Sequence, residues 1–213
     1  MRKIRFVNGE FYHVYNRGVD KRTIFIDGFD FSRFIQGLDE FNSVKPIGSI
    51  FENSFRTNQL SNLVAKLVDV VCFCLNKNHY HLILKQRLKN GISEFMRRVG
   101  TGFAQHFNFK NKRSGVLFQG PFKAKHVNSN EYLLHLSAYV NLNNQVHKIN
   151  SQNNFKSSWK EYVADEKGLC SSKNIILSQF KNKKEYEEFA KSSLKDMVER
   201  KKISKEMENL LME

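Results

Sequence analysis

The segment from Val68 to Gln86 constrains the fold more than any other part of the chain. Val68 to Leu75 is a largely apolar segment with several β-branched residues, which is typical of a buried strand. Turn-forming residues follow at Asn76-Lys77-Asn78, and the residues from His79 to Gln86 read as the returning strand. Because a short turn joins neighbouring antiparallel strands, we expect an antiparallel sheet at the centre of the fold.

Strand and helix patterns alternate on both sides of this hairpin. The order strand, helix, strand, strand, helix, strand, helix predicts an α+β domain in which helices pack on an antiparallel sheet. The expected elements are a strand at 10–17, a helix capped by Asp30, a long loop at 43–59, a helix at 92–107, an extended segment at 115–127, and a helix that Asn128 opens with Glu131 and that ends near Gln145.

The composition shifts after Asn150 toward short charged helices, of which the clearest begins at Asn182 with Glu185. We therefore predict a main domain at residues 1–150 and a C-terminal helical extension at 151–213.

The net charge of +14 points to nucleic acid as the partner. An apolar content of 40% with 19 Phe excludes a disordered basic tail. The segment from Lys77 to His126 holds eleven basic residues and one acidic residue, Glu94, interleaved with phenylalanines, whereas residues 181–213 are nearly neutral. Cations for phosphates and aromatic rings for bases are what a single-strand binder needs. We expect this basic segment to form the phosphate-facing wall of one active site.

Other sequence features suggest an intracellular protein. The longest apolar run, Val70 to Leu75, is too short to cross a bilayer, and no apolar stretch follows the basic start as it would in a secretory signal. Three cysteines suggest a reducing compartment, so we expect a cytoplasmic protein without a membrane partner.

Two histidines on the second strand of the hairpin are candidates for chemistry. His79 and His81 are two residues apart, so both imidazoles project from one face of the sheet while Tyr80 projects from the other. Two neutral imidazoles form half of a divalent-metal site. Taken alone, the pair is equally consistent with two ordinary surface histidines.

A tyrosine and an asparagine on the predicted helix after residue 128 strengthen this interpretation. Tyr139 and Asn143 are one helical turn apart, so a phenol and an amide carbonyl can face the same point. An amide oxygen suits a hard cation as a third ligand. Core packing of Tyr139 and helix capping by Asn143 remain the alternative.

Taken together, these motifs resemble those of the single-tyrosine HUH transposases of insertion sequences and of the REP-associated tyrosine transposases. The resemblance extends over most of residues 10–165. The motifs that carry it are Tyr12-His13-Val14-Tyr15-Asn16-Arg17-Gly18, Asn78-His79-Tyr80-His81-Leu82, Phe95-Met96-Arg97-Arg98, residues 115–123, Ala138-Tyr139-Val140-Asn141-Leu142-Asn143 and residues 157–162.

The resemblance implies a ferredoxin-like core and a prokaryotic enzyme that cleaves and rejoins single-stranded DNA at hairpin-flanked sites. It implies Tyr139 as the nucleophile, with Mg²⁺ or Mn²⁺ held by His79, His81 and Asn143. It leaves both a monomer and a homodimer open. The DNA-binding candidates, from charge, position and resemblance combined, are Asn16, Arg17, Arg97, Arg98, Gln119, Lys123 and Lys125.

The sequence leaves three alternatives. A carboxylate-based nuclease needs several acidic residues, but only Glu94 and Glu131 lie between Lys77 and His147. Cys72 and Cys74 with the histidine pair suggest a zinc site, although their one-residue spacing is more typical of buried strand cysteines. The third alternative is a non-catalytic DNA-hairpin or RNA binder on the same scaffold.

Overall fold

A five-stranded antiparallel sheet forms the centre of the protein. The computed structural model describes residues 4–55, 65–149, 151, 154–164 and 166–210, with the backbone alone for 200–210. The strand order is β4-β1-β3-β2-β5. The strands are β1 (Phe11–Arg17), β2 (Val68–Asn76), β3 (His79–Gln86), β4 (Lys123–Val127) and β5 (Phe155–Ser157).

The helices connect and cover these strands. With α1 and α3, the first four strands follow the β-α-β-β-α-β order of a ferredoxin-like fold, so the predicted fold class is confirmed. Within the described residues, no helix has the length and apolarity needed to span a membrane. The helices are α1 (Gly28–Glu40), α2 (Ile50–Ser54), α3 (Gly91–Lys110), α4 (Asn130–Asn141), α5 (Asn143–Val146), α6 (Trp159–Val163), α7 (Asn174–Leu177) and α8 (Lys183–Leu210).

The two faces of the sheet have different environments. Successive side chains of a strand alternate between faces, and cross-strand partners share a face. Tyr80 is buried on the first face, with its ring centroid 5.0 Å from that of Phe34 on α1. His81 points to the second face, where its ring centroid is 5.7 Å from that of Tyr139 on α4. His81 therefore meets α4, whereas Tyr80 meets α1.

Two predictions before the hairpin were wrong. Asp30 does not cap the helix at Phe31: the N-cap is Asp27, whose side chain accepts from the Asp30 N–H. Asp30 lies inside α1 and its buried carboxylate accepts from the Ile26 N–H and from Lys110. The loop predicted at 43–59 contains α2, which a reciprocal capping box of Ser49 and Glu52 opens; residues 56–59 lie outside the described part.

The helix predicted to run to Gln145 is two helices. Ser129, rather than Asn128, caps its start by accepting from the Tyr132 N–H. The first helix ends at Asn141 because Leu142 has non-helical backbone angles, and α5 begins at the next residue. The break leaves the Asn143 side chain buried against β2, where it accepts a hydrogen bond.

Residues after 151 add a fifth strand to the sheet and pack a long helix, α8, against α4. β5 pairs with β2 through Cys74, Leu75 and Asn76, which covers an edge that would otherwise be open. The α8 helix packs along α4, where the buried Tyr186 hydroxyl accepts from Asn141 Nδ2 at 2.9 Å. The division of the chain at residue 150 stays a prediction.

Candidate active site

The two histidines of β3 project from the sheet face that meets α4. Their ring centroids are 5.2 Å apart, and the rings are nearly perpendicular. Across the sheet, His79 is the register partner of Asn76, and His81 is the register partner of Cys74 and Tyr15. The predicted alternation is confirmed, since Tyr80 between them is buried on the opposite face.

Three asparagines fix the protonation state and orientation of His79. Its Nδ1 lies 2.6 Å from Asn78 Oδ1, which can only accept, so Nδ1 carries the proton. The bare Nε2 lies 3.0 Å from Asn76 Nδ2 and 3.3 Å from Asn143 Oδ1. Asn76 Nδ2 also donates to Asn143 Oδ1 at 2.7 Å. Two electron-rich atoms, His79 Nε2 and Asn143 Oδ1, therefore face the same positively polarised amide group of Asn76.

This donor set fits a divalent cation. An imidazole nitrogen and an amide oxygen are suitable ligands for Mg²⁺ or Mn²⁺, and here the Asn143 oxygen, rather than its nitrogen, faces His79. In the described structure, Asn143 Nδ2 is buried without a hydrogen-bond partner, so the contacts that orient this amide are made by its oxygen. His79 and Asn143 can thus hold a cation together, with His81 beside them.

His81 forms a hydrogen-bonded pair with a histidine that sequence reasoning did not single out. His13 Nε2 on β1 lies 2.9 Å from His81 Nδ1, and the two rings are stacked at 5.1 Å between centroids. This contact occupies Nδ1 of His81 and leaves its Nε2 for a ligand. The alternating aromatic and polar pattern of residues 10–17 contained the signal, since His13, Tyr15 and Arg17 share a face.

Burial keeps these imidazoles neutral. The pKa of His79 is lowered to about 4, mainly by burial and also by nearby His147 and Arg17, although the bond to Asn143 opposes the shift. The pKa of His13 is also lowered to about 4, mainly by burial and to a smaller extent by the charge of Lys125. The pKa of His81 is well below its ordinary value, first through burial. Neutral imidazoles are the form that binds metals.

Tyr139 is half-buried beside these groups. Burial raises the pKa of its phenol, and the neighbouring Asn143 amide partly offsets that increase. Its ring stands nearly perpendicular to His81 and to His13. The phenol is therefore protonated at neutral pH, and a base or a cation is needed before its oxygen can attack.

A cavity of about 430 Å³ joins these side chains to a cationic surface. No Asp or Glu is found among the residues that line it in the described structure. Such a cavity suits an anion. Its lining consists of Tyr15, Asn16, Arg17, Lys21, Asn78, His79, His81, Gln119, Lys123, Tyr139 and His147.

Among the basic residues of the segment from Lys77 to His126, Lys123 lines the cavity, but the segment as a whole does not form the expected wall of the site. Much of it is bound elsewhere: Arg87 pairs with Asp69, and Lys110 pairs with Asp27 and Asp30. These cations stabilise α1, β2 and α3 rather than line the cavity.

The DNA-binding candidates fall into three groups. Asn16, Arg17, Gln119 and Lys123 line the cavity, and Arg17 donates to Gln119. Lys125 lies next to them on β4, with its ammonium 5.2 Å from the centroid of the Tyr132 ring. Arg97 and Arg98 lie on α3, away from the cavity, and both bind Glu94. Their roles in DNA binding remain predictions.

The three cysteines are buried and free. Burial raises the pKa of Cys74 to about 12, so it is a neutral thiol beside His81. Among the side chains that the structure describes, no three of His, Cys, Asp or Glu are grouped so that they could hold a metal ion. The alternative of a zinc site built from Cys72, Cys74 and the histidine pair therefore has no support in the geometry.

Comparison with known proteins supports the fold. No family model matches the sequence, and a search of curated proteins finds no match either. Among solved structures, the chain is similar to a REP-associated tyrosine transposase bound to a REP hairpin, with a TM-score of 0.54 and 13% identity. The similarity covers 77% of this chain and 86% of that one. At this identity, the similarity establishes the shared fold.

Proposed function

We propose that this protein is a metal-dependent single-stranded DNA transposase or endonuclease that cleaves and rejoins DNA through Tyr139. One observation carries the proposal. The fold brings the Tyr139 phenol and the buried Asn143 amide against the His79 and His81 imidazoles of β3, and Tyr139 and the two histidines line a cavity together with cations. These groups are about sixty residues apart in sequence, and a cavity of this charge is suited to a phosphodiester.

His79, His81 and Asn143 would hold Mg²⁺ or Mn²⁺. When bound, such a cation polarises the scissile phosphate and offsets the charge that develops on its oxygens. The residues themselves do the remaining work. Asn78 fixes the tautomer of His79, and the contacts of the Tyr139 ring with His81 and His13 orient the phenol.

The reaction exchanges one phosphodiester bond for another. As its proton is lost to solvent, Tyr139 Oη attacks phosphorus; the bond from phosphorus to the 3′-oxygen breaks, and that oxygen takes up a proton from water. The products are a 5′-phosphotyrosine and a free 3′-hydroxyl. Because the new bond is again a phosphodiester, a second DNA 3′-hydroxyl can displace the tyrosine by the reverse step without ATP.

The proposed substrate is single-stranded DNA flanked by a hairpin. The similar transposase of known structure is bound to a REP hairpin, which supports this choice. Arg17 and Lys123 would bind phosphates next to the reacting one, and Gln119 would hold Arg17 in place. Asn16, Lys125, Arg97 and Arg98 are proposed as further contacts, and residues 1–150 as the catalytic domain.

Covalent capture tests the proposal. The protein is incubated with Mn²⁺ and a library of DNA hairpins with randomised single-stranded flanks, and an SDS-resistant protein–DNA adduct is measured. We expect an adduct with the wild type and with the matched control Tyr132→Phe, which changes a tyrosine of the same helix. Tyr139→Phe should bind the hairpins but form no adduct, and His81→Ala should bind without cleaving.

Two outcomes would redirect the interpretation. An adduct with Tyr139→Phe as strong as with the wild type would remove Tyr139 as nucleophile, and Tyr132 would be tested next. A wild type that binds hairpins without any adduct would support the non-catalytic binder.

A further inference from the structure

A second cavity, of about 300 Å³, lies between α3 and the segment from Phe118 to Phe122. We call it the α3 groove. Asn16 lines both this groove and the candidate active site, so the two cavities are neighbours. The residues that line the α3 groove are Asn16, Tyr80, Met96, Arg97, Gly100, Thr101, Phe118, Gly120, Pro121 and Phe122.

A built loop separates the two cavities. Asn16 Nδ2 donates to the Gly120 carbonyl at 3.0 Å, and the Gln119 N–H donates to the Arg17 carbonyl at 2.9 Å. Gly120 has a φ of 96°, a backbone conformation that favours glycine. The wall of the groove is thus held by the same strand, β1, that supplies Arg17 to the active site.

The chemistry of the groove suits a flat, weakly polar group that carries a negative charge. Its walls include the partly exposed rings of Phe118 and Phe122, and the nearly fully buried Tyr80 and Met96 complete the apolar lining. At the rim, the Arg97 side chain is 65% exposed. Arg97 shares one carboxylate, Glu94, with Arg98, so the three side chains together carry one net positive charge, and of the two arginines Arg97 lines the groove. No acidic residue lines the groove in the described part of the chain.

We infer that the α3 groove binds one unpaired nucleobase of the DNA strand that enters the active site, with the neighbouring phosphate on Arg97. This inference rests on the proposed function, since it takes single-stranded DNA as the ligand. Aromatic stacking accepts any base, whereas an aliphatic peptide would not use the guanidinium at the rim. Because Asn16 lines both cavities, a base in the α3 groove would lie next to the cavity that holds the reacting phosphate.

Gly100 offers a variant that closes the groove without harming the fold. A Cβ built on Gly100 meets no atom within 4 Å, and the residue lies inside α3. Glutamine there would project into the groove, and it favours a helix more than glycine does. Gly28 at the start of α1 is also open around its Cβ and lies outside the groove. Gly28→Gln is therefore a matched control.

The experiment compares Gly100→Gln with Gly28→Gln. Affinity for fluorescein-labelled oligo(dT) of twenty nucleotides is measured by anisotropy, and oligo(dT) carrying 5-iododeoxyuridine is photo-crosslinked and mapped by mass spectrometry. We expect Gly100→Gln to bind at least fivefold more weakly than the wild type, and Gly28→Gln to bind within twofold of it. Crosslinks to Phe118 or Phe122 should form in the wild type and disappear in Gly100→Gln.

Equal affinity of the two variants, or wild-type crosslinks that avoid the groove, would overturn the inference. Thermal melting of both variants should not fall below that of the wild type, so a binding defect cannot be assigned to unfolding. The Tyr139 adduct assay separates this result from the proposed function. If the wild type forms the adduct and Gly100→Gln keeps the wild-type affinity for oligo(dT), only the base-binding role of the α3 groove is overturned. If the wild type forms no adduct but Gly100→Gln weakens oligo(dT) binding, only the proposed nuclease activity is overturned.

Discussion

His13 Nε2 lies 2.9 Å from His81 Nδ1, and the two rings are stacked between adjacent strands of the sheet. Because burial keeps both imidazoles neutral, only one of the two facing nitrogens carries a proton in this hydrogen bond. When His81 carries it on Nδ1, its Nε2 has a free lone pair, and His13 acts as the acceptor that fixes this tautomer. Such outer partners orient metal-binding histidines in many proteins.

Replacing His13 should therefore weaken metal binding. We expect His13→Ala to bind Mn²⁺ at least tenfold more weakly, because His81 loses the partner that fixes its ring and tautomer. His13→Gln, whose amide oxygen can accept from His81, should recover part of the affinity. Titration calorimetry or Mn²⁺ electron paramagnetic resonance measures the effect. His126→Ala, which removes a half-buried imidazole on the other face of β4, is the control. Equal affinities for all variants would remove His13 from this role.

The amide of Asn76 should act as a substitute for the cation in the metal-free protein. It donates toward both His79 Nε2 and Asn143 Oδ1, which are 3.3 Å apart. Asn76→Ala leaves these acceptors without their shared donor, so we expect a loss of about 2 kcal/mol without metal. Mn²⁺ should restore part of this loss and raise the melting temperature more than in the wild type.

Asn42→Ala is the matched control for Asn76→Ala. Asn42 is also buried, and it bonds to the backbone of Leu67 and Val68 far from the site. We expect its destabilisation to be the same with and without Mn²⁺. If the metal stabilises both variants equally, Asn76 has no special relation to the cation.

The buried histidines should make the fold sensitive to mild acid. The pKa of His13 falls from 6.5 to about 4 on folding, so between these values the unfolded chain binds more protons than the folded one. The free energy of unfolding must therefore fall as the pH drops from 7 toward 4. For His13 alone, a shift of this size corresponds to about 3 kcal/mol.

Urea unfolding at several pH values tests this dependence. His13→Gln should unfold with a flatter pH profile between pH 6.5 and 4, while Asn42→Ala, which removes no titratable group, should keep the wild-type slope. A His13→Gln profile as steep as that of the wild type would show that His13 is not a source of the acid sensitivity.

Local periodicity predicted the hairpin and the orientation of its histidines, because strand alternation is a property of adjacent residues. It did not predict the break at Leu142, since the end of α4 depends on Asn143 meeting Asn76 of β2 across the fold. The sequence did not predict β5, because a three-residue strand is too short to show a periodic pattern and its pairing with β2 is a tertiary contact.

The charge of a segment was a poorer guide than the position of each cation. Sequence reasoning grouped Lys110 and Lys123 because both are basic and lie close along the chain. In the fold, Lys110 neutralises the fully buried carboxylate of Asp30, whereas Lys123 lines the active-site cavity. Ion pairing across the fold is not visible in composition, so only the three-dimensional arrangement separates the two roles.

These two lysines should therefore respond differently to the same substitution. Lys110→Met leaves the Asp30 carboxylate buried without its cation, and we expect a loss of stability of about 3 kcal/mol. Its affinity for single-stranded DNA, measured well below its melting temperature, should stay within twofold of the wild type. Lys123→Met should keep wild-type stability but weaken DNA binding, and lower the salt dependence of log K by about 0.7, as expected for one lost phosphate contact. Reversed effects, with Lys110→Met impairing binding and Lys123→Met impairing stability, would contradict the sorting of the basic segment into structural and DNA-facing cations.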